Sequence, residues 1–183
     1  MINNIIDDIF LARNNGAYIS ALSLALTLPN ILSNIEFNRR TFRKEYVDWF
    51  NQWVYKYYEQ PPSDNEFINR GLSATKFDGE NCYALRCSLL HTGNTDLKDN
   101  KGKIDIFVLC SSDVSTHSGD AYVCDVSNNS ASNTYVSLNV VGLIDALLAG
   151  AKEYISQNEE KIQQHQHSAM HRVLFGSIEI ENL

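Results

Sequence analysis

The sequence lacks the patterns that identify several common classes of protein. It contains no glycine-rich phosphate loop, no dinucleotide-binding fingerprint and no G-x-S-x-G nucleophile elbow, so these three kinds of site are not supported. None of its four cysteines forms a C-x-x-C pair, and no basic and apolar signal sequence opens the chain. These absences predict a cytoplasmic protein with reduced thiols.

Long apolar runs and an excess of positive charge are missing as well. The most apolar run, from Ala17 to Leu28, is too short to span a bilayer and meets Pro29, so we predict no transmembrane segment and no membrane partner. Fifteen basic and twenty-two acidic side chains leave a formal net charge of -7. This charge balance argues against broad, non-specific binding of nucleic acid but allows a local basic patch.

The chain has the composition of an ordinary globular protein. Its 183 residues favour a single domain, and a hydrophobic fraction of 44% allows a real core. Near residue 94 the sequence pattern changes from one typical of helices to one typical of strands and turns. We therefore divide the single domain 1–183 into a helical region over residues 1–93, a β-rich insertion 94–139, a long C-terminal helix 140–171 and a tail 172–183.

Apolar residues at three- and four-residue steps predict the helices. Runs of Val, Ile, Tyr and Phe between turn-forming clusters predict the strands, and the tail from Arg172 to Ile180 predicts one more. The expected fold class is mainly α: a bundle of four or five helices with a small antiparallel β-meander inserted before the last long helix. The predicted helices cover residues 2–13, 17–28, 39–59, 79–91 and 140–166, with a turn near 65–70, and the strands cover 103–110, 121–126 and 133–139.

The helix predicted over residues 39–59 has two features with alternative explanations. Its aromatic stripe indicates core packing, and a base-stacking platform is the alternative. Four cations stand at its N-terminal end, where positive charge opposes the helix dipole. Contact with phosphate would explain these cations. The alternative is a solvent-exposed face on which Glu36 and Glu45 balance the positive charge. The candidate RNA-binding residues are Arg39, Arg40, Arg43 and Lys44.

The helix predicted over residues 79–91 contains the candidate active site. Asp78 suits the N-cap of this helix, and Gly93 suits the left-handed position after its last turn. Between them, Arg86 and His91 interrupt an apolar segment, and an arginine is almost never fully buried without a partner. The two residues form an R-x4-H pair within the sequence A-L-R-C-S-L-L-H-T-G.

This segment resembles the HEPN superfamily, a group of helical-bundle proteins marked by an R-x4-6-H motif. The resemblance implies a metal-independent endoribonuclease without a cofactor, acting in a toxin–antitoxin or phage-defence system. His91 would be the base toward the 2′-hydroxyl of RNA or the acid toward the leaving oxygen. Arg86 would hold the phosphate and stabilise the charge that develops on its oxygens. The products would be a 2′,3′-cyclic phosphate and a 5′-hydroxyl.

The geometry of a helix restricts how the two motif residues can act. Residues five positions apart project about 140° apart, so one copy of the motif cannot easily focus both side chains on one phosphate. HEPN ribonucleases place two motifs across a dimer interface, and the resemblance therefore implies a two-fold homodimer. RNA is the expected substrate, and a regulatory or antitoxin protein is a further expected partner.

One residue departs from the family pattern. Many HEPN ribonucleases carry a polar residue directly after the arginine, whereas this chain carries Cys87, and Ser88 is the residue that could replace it. The alternative is a non-catalytic HEPN-like module that dimerises and binds RNA, a nucleotide or a protein partner. In that case Arg86 would pair with a carboxylate, and His91 would cap the C-terminal end of its helix.

We predict no metal site. His167 and His171 stand four residues apart, which puts two ligands on one helix face, but the sequence offers no glutamate between them and no third ligand. Asp113, His117 and Asp120 lie between two predicted strands, where turn chemistry explains them.

Overall fold

A computed structural model describes residues 2–58, 77–93, 95, 106–110, 123–128 and 131–165. Most of these residues are helical, which confirms the prediction of a mainly α chain. The expected number of four or five helices was too low, because the helix predicted over residues 39–59 is divided in two and a further helix, Leu28–Phe37, follows the one predicted over residues 17–28. The helices of the described residues are α1 Ile2–Asn14, α2 Tyr18–Ala25, α3 Leu28–Phe37, α4 Arg43–Trp53, α5 Tyr55–Tyr58, α6 Gly79–Thr92 and α7 Val140–Gln157.

Pro29 begins a helix instead of ending one. The helix predicted over residues 17–28 is α2, which ends at Ala25, and α3 follows with Pro29 in its first turn. A proline is tolerated there because the first backbone N–H groups of a helix have no intrahelical acceptor. The α3 helix ends at Phe37, and Asn38 caps it with a left-handed φ of 48°.

The stretch from Tyr18 to Phe37 is the one membrane-span candidate among the described residues. It is long and apolar enough to cross a bilayer by length and composition alone, and half of the tested window is buried inside the protein. A helix in the core of a globular protein satisfies the same criteria. Among the residues of this stretch, Leu22, Leu26 and Leu32 are completely buried in the core of the protein.

The aromatic helix is shorter than predicted but packs as expected. It begins at Arg43 because Phe42 is extended, and the Glu45 carboxylate accepts a hydrogen bond of 3.0 Å from the Phe42 backbone N–H. Tyr46 and Phe50 are completely buried, which favours core packing over a base-stacking platform. Phe42 departs from the stripe, since it is 67% exposed.

The small sheet is mixed, so the predicted antiparallel meander was wrong. Its strands are β1 Ile106–Cys110, β2 Val123–Asn128 and β3 Ala131–Asn139, and β3 lies in the centre. The β2 and β3 strands pair as an antiparallel hairpin, whereas β1 pairs with β3 in parallel. The two-residue connection between β2 and β3 dictates the hairpin, and the long connection from β1 to β3 permits the parallel pairing.

The last long helix closes the core. It follows β3 directly, and the Asn139 side chain caps it by accepting a hydrogen bond of 3.1 Å from the Gly142 N–H. The helix ends at Gln157, before Asn158, and residues 159–165 are helical again. The predicted turn near 65–70 and the predicted tail strand lie outside the described residues. Among the described residues, the largest fully buried side chains include Tyr46, Tyr154, Phe50, Ile9, Leu22, Leu26, Leu28, Leu32, Leu85, Leu138 and Leu143.

Candidate functional site

Both ends of α6 have the caps that its sequence predicts. The Asp78 carboxylate accepts hydrogen bonds of 3.1 Å from the backbone N–H groups of Glu80 and Asn81. Gly93 has a φ of 68° and donates its N–H to the Leu89 carbonyl at 3.1 Å. These local interactions determine where the helix with the R-x4-H motif begins and ends.

The α6 helix packs one face against α4 and exposes the opposite face. A Cβ on Gly79 would lie 2.6 Å from the Val47 carbonyl oxygen, so only glycine fits at this contact without a shift. Cys82 and Leu85 are completely buried, and burial raises the pKa of the Cys82 thiol to about 12. The exposed face of the helix carries Glu80, Leu90 and His91, with the half-buried residues Tyr83 and Cys87 between them.

Arg86 lies at the border between these two faces. Its side chain is half-buried, and its Nε atom is buried without a hydrogen-bond partner. Its Nη1 atom is 3.9 Å from the Cys87 sulfur, and its guanidinium carbon lies 5.9 Å from the centre of the Tyr83 ring. No described carboxylate forms an ion pair with Arg86, so the partner that the non-catalytic alternative requires is not found among the described residues.

His91 lies in the last turn of α6 and is exposed. The imidazole therefore stands beside the C-terminal end of α6, where the helix dipole places partial negative charge. The structure places Arg86 and His91 on one helix, but they project in different directions, so a single copy does not bring them together at one point.

The two supporting candidates occupy different environments. Cys87 is half-buried and lies between Tyr83 and Arg86. Ser88 is buried, with 7% of its surface exposed, and faces the core rather than the exposed face. In this arrangement Cys87, and not Ser88, is the neighbour that a bound molecule at Arg86 would contact.

Three of the four candidate RNA-binding cations are paired with carboxylates. Arg39 donates to Glu45 at 2.7 Å, Lys44 to Asp48 at 2.6 Å, and Arg43 to Glu80 from Nε at 2.8 Å and from Nη2 at 2.5 Å. Arg40 is exposed and has no ion pair within the described residues. The basic cluster is therefore largely neutralised by its own neighbours.

Sequence reasoning did not single out Tyr83, which joins the basic cluster to the motif. Its ring centre lies 5.7 Å from the Arg43 guanidinium carbon and also faces Arg86, as given above. Burial raises the pKa of Tyr83, a hydrogen bond with Cys87 raises it further, and the charges of Arg86 and Arg43 oppose this rise. The sequence does contain a signal for the contacts of Tyr83 with Arg86 and Cys87: the three residues have i, i+3 and i, i+4 spacing, which places them side by side on a helix. The contact with Arg43 joins two helices and has no local signal.

The described residues contain no group of three or more side chains suited to hold a metal ion. His165 ends the helical segment 159–165, whereas His167 and His171 lie outside the described residues, as do Asp113, His117 and Asp120.

In comparison with known proteins, no protein-family model, no curated protein and no solved structure matches this chain.

Proposed function

We propose that this chain is a metal-independent endoribonuclease of the HEPN type, with a site shared between two copies of the chain. One observation carries the proposal. Arg86 has a buried, unpartnered Nε atom and no described carboxylate partner, and it stands on the helix whose exposed end carries His91. A phosphate would supply anionic oxygens to the planar fork of N–H donors that a guanidinium presents.

The proposed reaction is an internal attack within the RNA. The 2′-oxygen forms a bond to the adjacent phosphorus, and the bond from phosphorus to the 5′-oxygen breaks. The attack releases the proton of the 2′-hydroxyl, and the leaving 5′-oxygen takes one up. The His91 imidazole carries out one of these two transfers, and water carries out the other. Arg86 stabilises the negative charge that grows on the phosphate oxygens during the attack.

The shared site requires a dimer through the exposed face of α6. Tyr83, Cys87 and Leu90 give this face an apolar stripe, and Leu90 is 37% exposed in a single copy. A two-fold axis beside the stripe would set Arg86 of one copy near His91 of the other, which one helix alone does not achieve.

Arg40 and Arg43 are the proposed contacts for flanking phosphates. Arg40 has no ion pair among the described residues, and Arg43 connects to Arg86 through the Tyr83 ring. Glu80 competes with RNA for Arg43, since its carboxylate already accepts two hydrogen bonds from that guanidinium.

A second candidate function is a non-catalytic HEPN-like module that dimerises and binds RNA, a nucleotide or a protein partner. The observation that favours it is the packing of Arg86 on Tyr83 beside Cys87, where many HEPN ribonucleases have a polar group. In such a module the exposed face of α6 would still be the contact surface.

Cleavage of RNA in the presence of a chelator tests the first candidate. We expect the wild-type protein to produce fragments with 2′,3′-cyclic phosphate ends, and we expect His91→Ala and Arg86→Ala each to lower the rate at least about a hundredfold, the scale of a lost acid–base or charge-stabilising group. His165→Ala is the matched control, because it removes a described histidine away from α6. Equal rates in all four proteins, or no cleavage by the wild type, would refute the enzyme hypothesis.

A mixing experiment tests the shared site separately. Neither His91→Ala nor Arg86→Ala should cleave RNA alone, but a mixture that exchanges subunits should recover some of the activity, because a mixed dimer retains one intact arginine and one intact histidine across the interface. Light scattering should report a dimer for both variants. A dimeric mixture without recovered activity would contradict the shared site.

A further inference from the structure

Phe42 is the most exposed of the large apolar side chains among the described residues. It is 67% exposed and stands immediately before α4, at the N-cap. Serine, threonine, aspartate and asparagine are favoured at this position, because their side-chain oxygens accept hydrogen bonds from the first backbone N–H groups of the helix. A phenylalanine supplies no such acceptor, and this ring is not buried. Neither capping nor core packing therefore accounts for the aromatic side chain.

The backbone that presents Phe42 is held in place by hydrogen bonds. The Asn34 Oδ1 atom accepts hydrogen bonds of 2.7 Å from both the backbone N–H and the hydroxyl of Thr41, and that hydroxyl lies 2.8 Å from the Ser33 hydroxyl. Thr41 is buried, whereas Arg40 and Phe42 on either side of it are exposed. Thr41 thus anchors the segment, and its two neighbours project toward solvent.

Arg40 and Phe42 are both open to a partner. Residues two apart in extended backbone lie about 7 Å from each other on one side of the chain. Arg40 forms no ion pair within the described residues, and no described ring or cation packs on the Phe42 ring. Phe37 is different, because its ring centre lies 5.5 Å from the Arg39 guanidinium, which already pairs with Glu45.

We propose that Phe42 stacks on an unpaired base of RNA and that Arg40 contacts an adjoining phosphate, so that this chain selects single-stranded over double-stranded RNA. This inference rests on the proposed function in taking RNA as the ligand. Every base has a flat π-face that an aromatic ring can meet, whereas in a duplex the neighbouring base pairs cover both faces. The guanidinium beside the ring supplies the positive charge that attracts the phosphate backbone.

The position of Phe42 is continuous with the proposed active site. The next residue, Arg43, reaches α6, where it binds Glu80 and lies beside the Tyr83 ring. The Tyr83 ring in turn lies beside Arg86 of the R-x4-H motif. A single strand with its scissile phosphate at Arg86 would therefore place flanking nucleotides along this path toward Phe42.

Binding of a strand that cannot be cleaved tests the base contact. Oligouridylate with 2′-O-methyl riboses lacks the hydroxyl for the proposed attack, so fluorescence anisotropy of a labelled oligomer reports binding alone. We expect Phe42→Ala to weaken binding about tenfold, within the range for one stacked base. Phe42→Tyr should retain the affinity, whereas Phe42→Leu should lose as much as the alanine variant. Leu11→Ala removes a similarly exposed apolar side chain from α1 and should change nothing.

A duplex and the salt dependence separate the two contacts. When the same strand is annealed to 2′-O-methyl oligoadenylate, Phe42→Ala should no longer alter binding, because the bases are already stacked. Arg40→Gln should weaken binding of the single strand and reduce the slope of log Kd against log salt concentration by about 0.7, the value for one phosphate contact with a single strand. Phe42→Ala should leave that slope unchanged.

Several results would overturn the proposal: no binding of the single strand by the wild type, unchanged binding in Phe42→Ala or Arg40→Gln, or an equal loss in Phe42→Ala on single strand and duplex. Full affinity in Phe42→Leu would also overturn it and would assign Phe42 to apolar docking. The cleavage assay gives an independent answer. Stacking without cleavage would refute the endoribonuclease alone, and cleavage that depends on His91 but not on Phe42 would refute the stacking alone.

Discussion

Tyr46 shows how one side chain joins three regions of the fold. Its hydroxyl donates to the Leu26 carbonyl at 3.0 Å and lies 3.4 Å from the Cys82 sulfur, and its ring meets Tyr83 edge-on with centres 5.3 Å apart. Burial raises the pKa of this hydroxyl well above its usual value, so Tyr46 is neutral at physiological pH. Tyr46, which packs against α6, is therefore a hydrogen-bonded residue of the core.

Removing this hydroxyl tests its contribution at the scale of a single residue. We expect Tyr46→Phe to lower the free energy of unfolding by about 1–2 kcal/mol, because the Leu26 carbonyl would lose a buried donor. Urea unfolding measures the change. Tyr57→Phe removes a hydroxyl that donates to Glu153 at the surface and should have a much smaller effect. Equal losses in the two variants would contradict the role of the buried bond.

At the scale of an element, α6 is held by its two ends. Its sequence has little amphipathic pattern, since arginine, cysteine and serine interrupt the apolar residues. Asp78 and Gly93 nevertheless stop the helix at defined positions, so that the last turn carries His91. Interactions within a few residues of each end therefore determine the bounds of α6, which the spacing of its apolar residues alone does not determine.

Replacing the terminal glycine tests how much this end matters. Gly93→Ala should destabilise the protein by about 1–2 kcal/mol, because an alanine Cβ is strained in the left-handed conformation. Gly93→Asn should cost less, since asparagine tolerates that conformation better than alanine. Thermal unfolding distinguishes the two variants. The same stability for alanine and asparagine would show that the left-handed turn does not constrain α6.

At the scale of the whole molecule, Glu36 connects segments that are far apart in the sequence. It accepts hydrogen bonds of 2.8 Å from the Tyr154 hydroxyl and 2.9 Å from the Lys161 ammonium. Burial raises the pKa of Glu36, but the hydrogen bonds from Lys161 and Tyr154 outweigh it, and the pKa lies below its ordinary value of 4.5. The end of α3, the end of α7 and the helical residues 159–165 are joined by this one carboxylate.

The lowered pKa determines the sign of a pH effect. Because the folded state holds the ionised form of Glu36, its contribution is present above about pH 4.5 and is lost as the pH falls through the folded pKa. We expect Glu36→Gln to destabilise the protein at pH 7 by roughly 1 kcal/mol, a figure that allows for partial exposure of the pair. The difference from wild type should shrink at pH 3. Urea unfolding at both pH values measures it, and a difference that grows in acid would contradict this account.

The sequence by itself determined the features that depend on near neighbours. The caps at Asp78 and Gly93, the buried aromatic stripe of α4 and the mainly helical class follow from interactions within one or two turns, and the structure confirms them. The role of Pro29 was also local, but the sequence allowed two outcomes, because a proline can follow one helix or begin the next.

Only the tertiary structure decided which distant segments meet. The parallel pairing of β1 with β3, the contact of Arg43 with Tyr83 and the absence of a described carboxylate beside Arg86 all depend on contacts between separate elements. Side-chain spacing along the chain carries no information about such contacts, because they result from how whole faces of helices and strands are buried against one another.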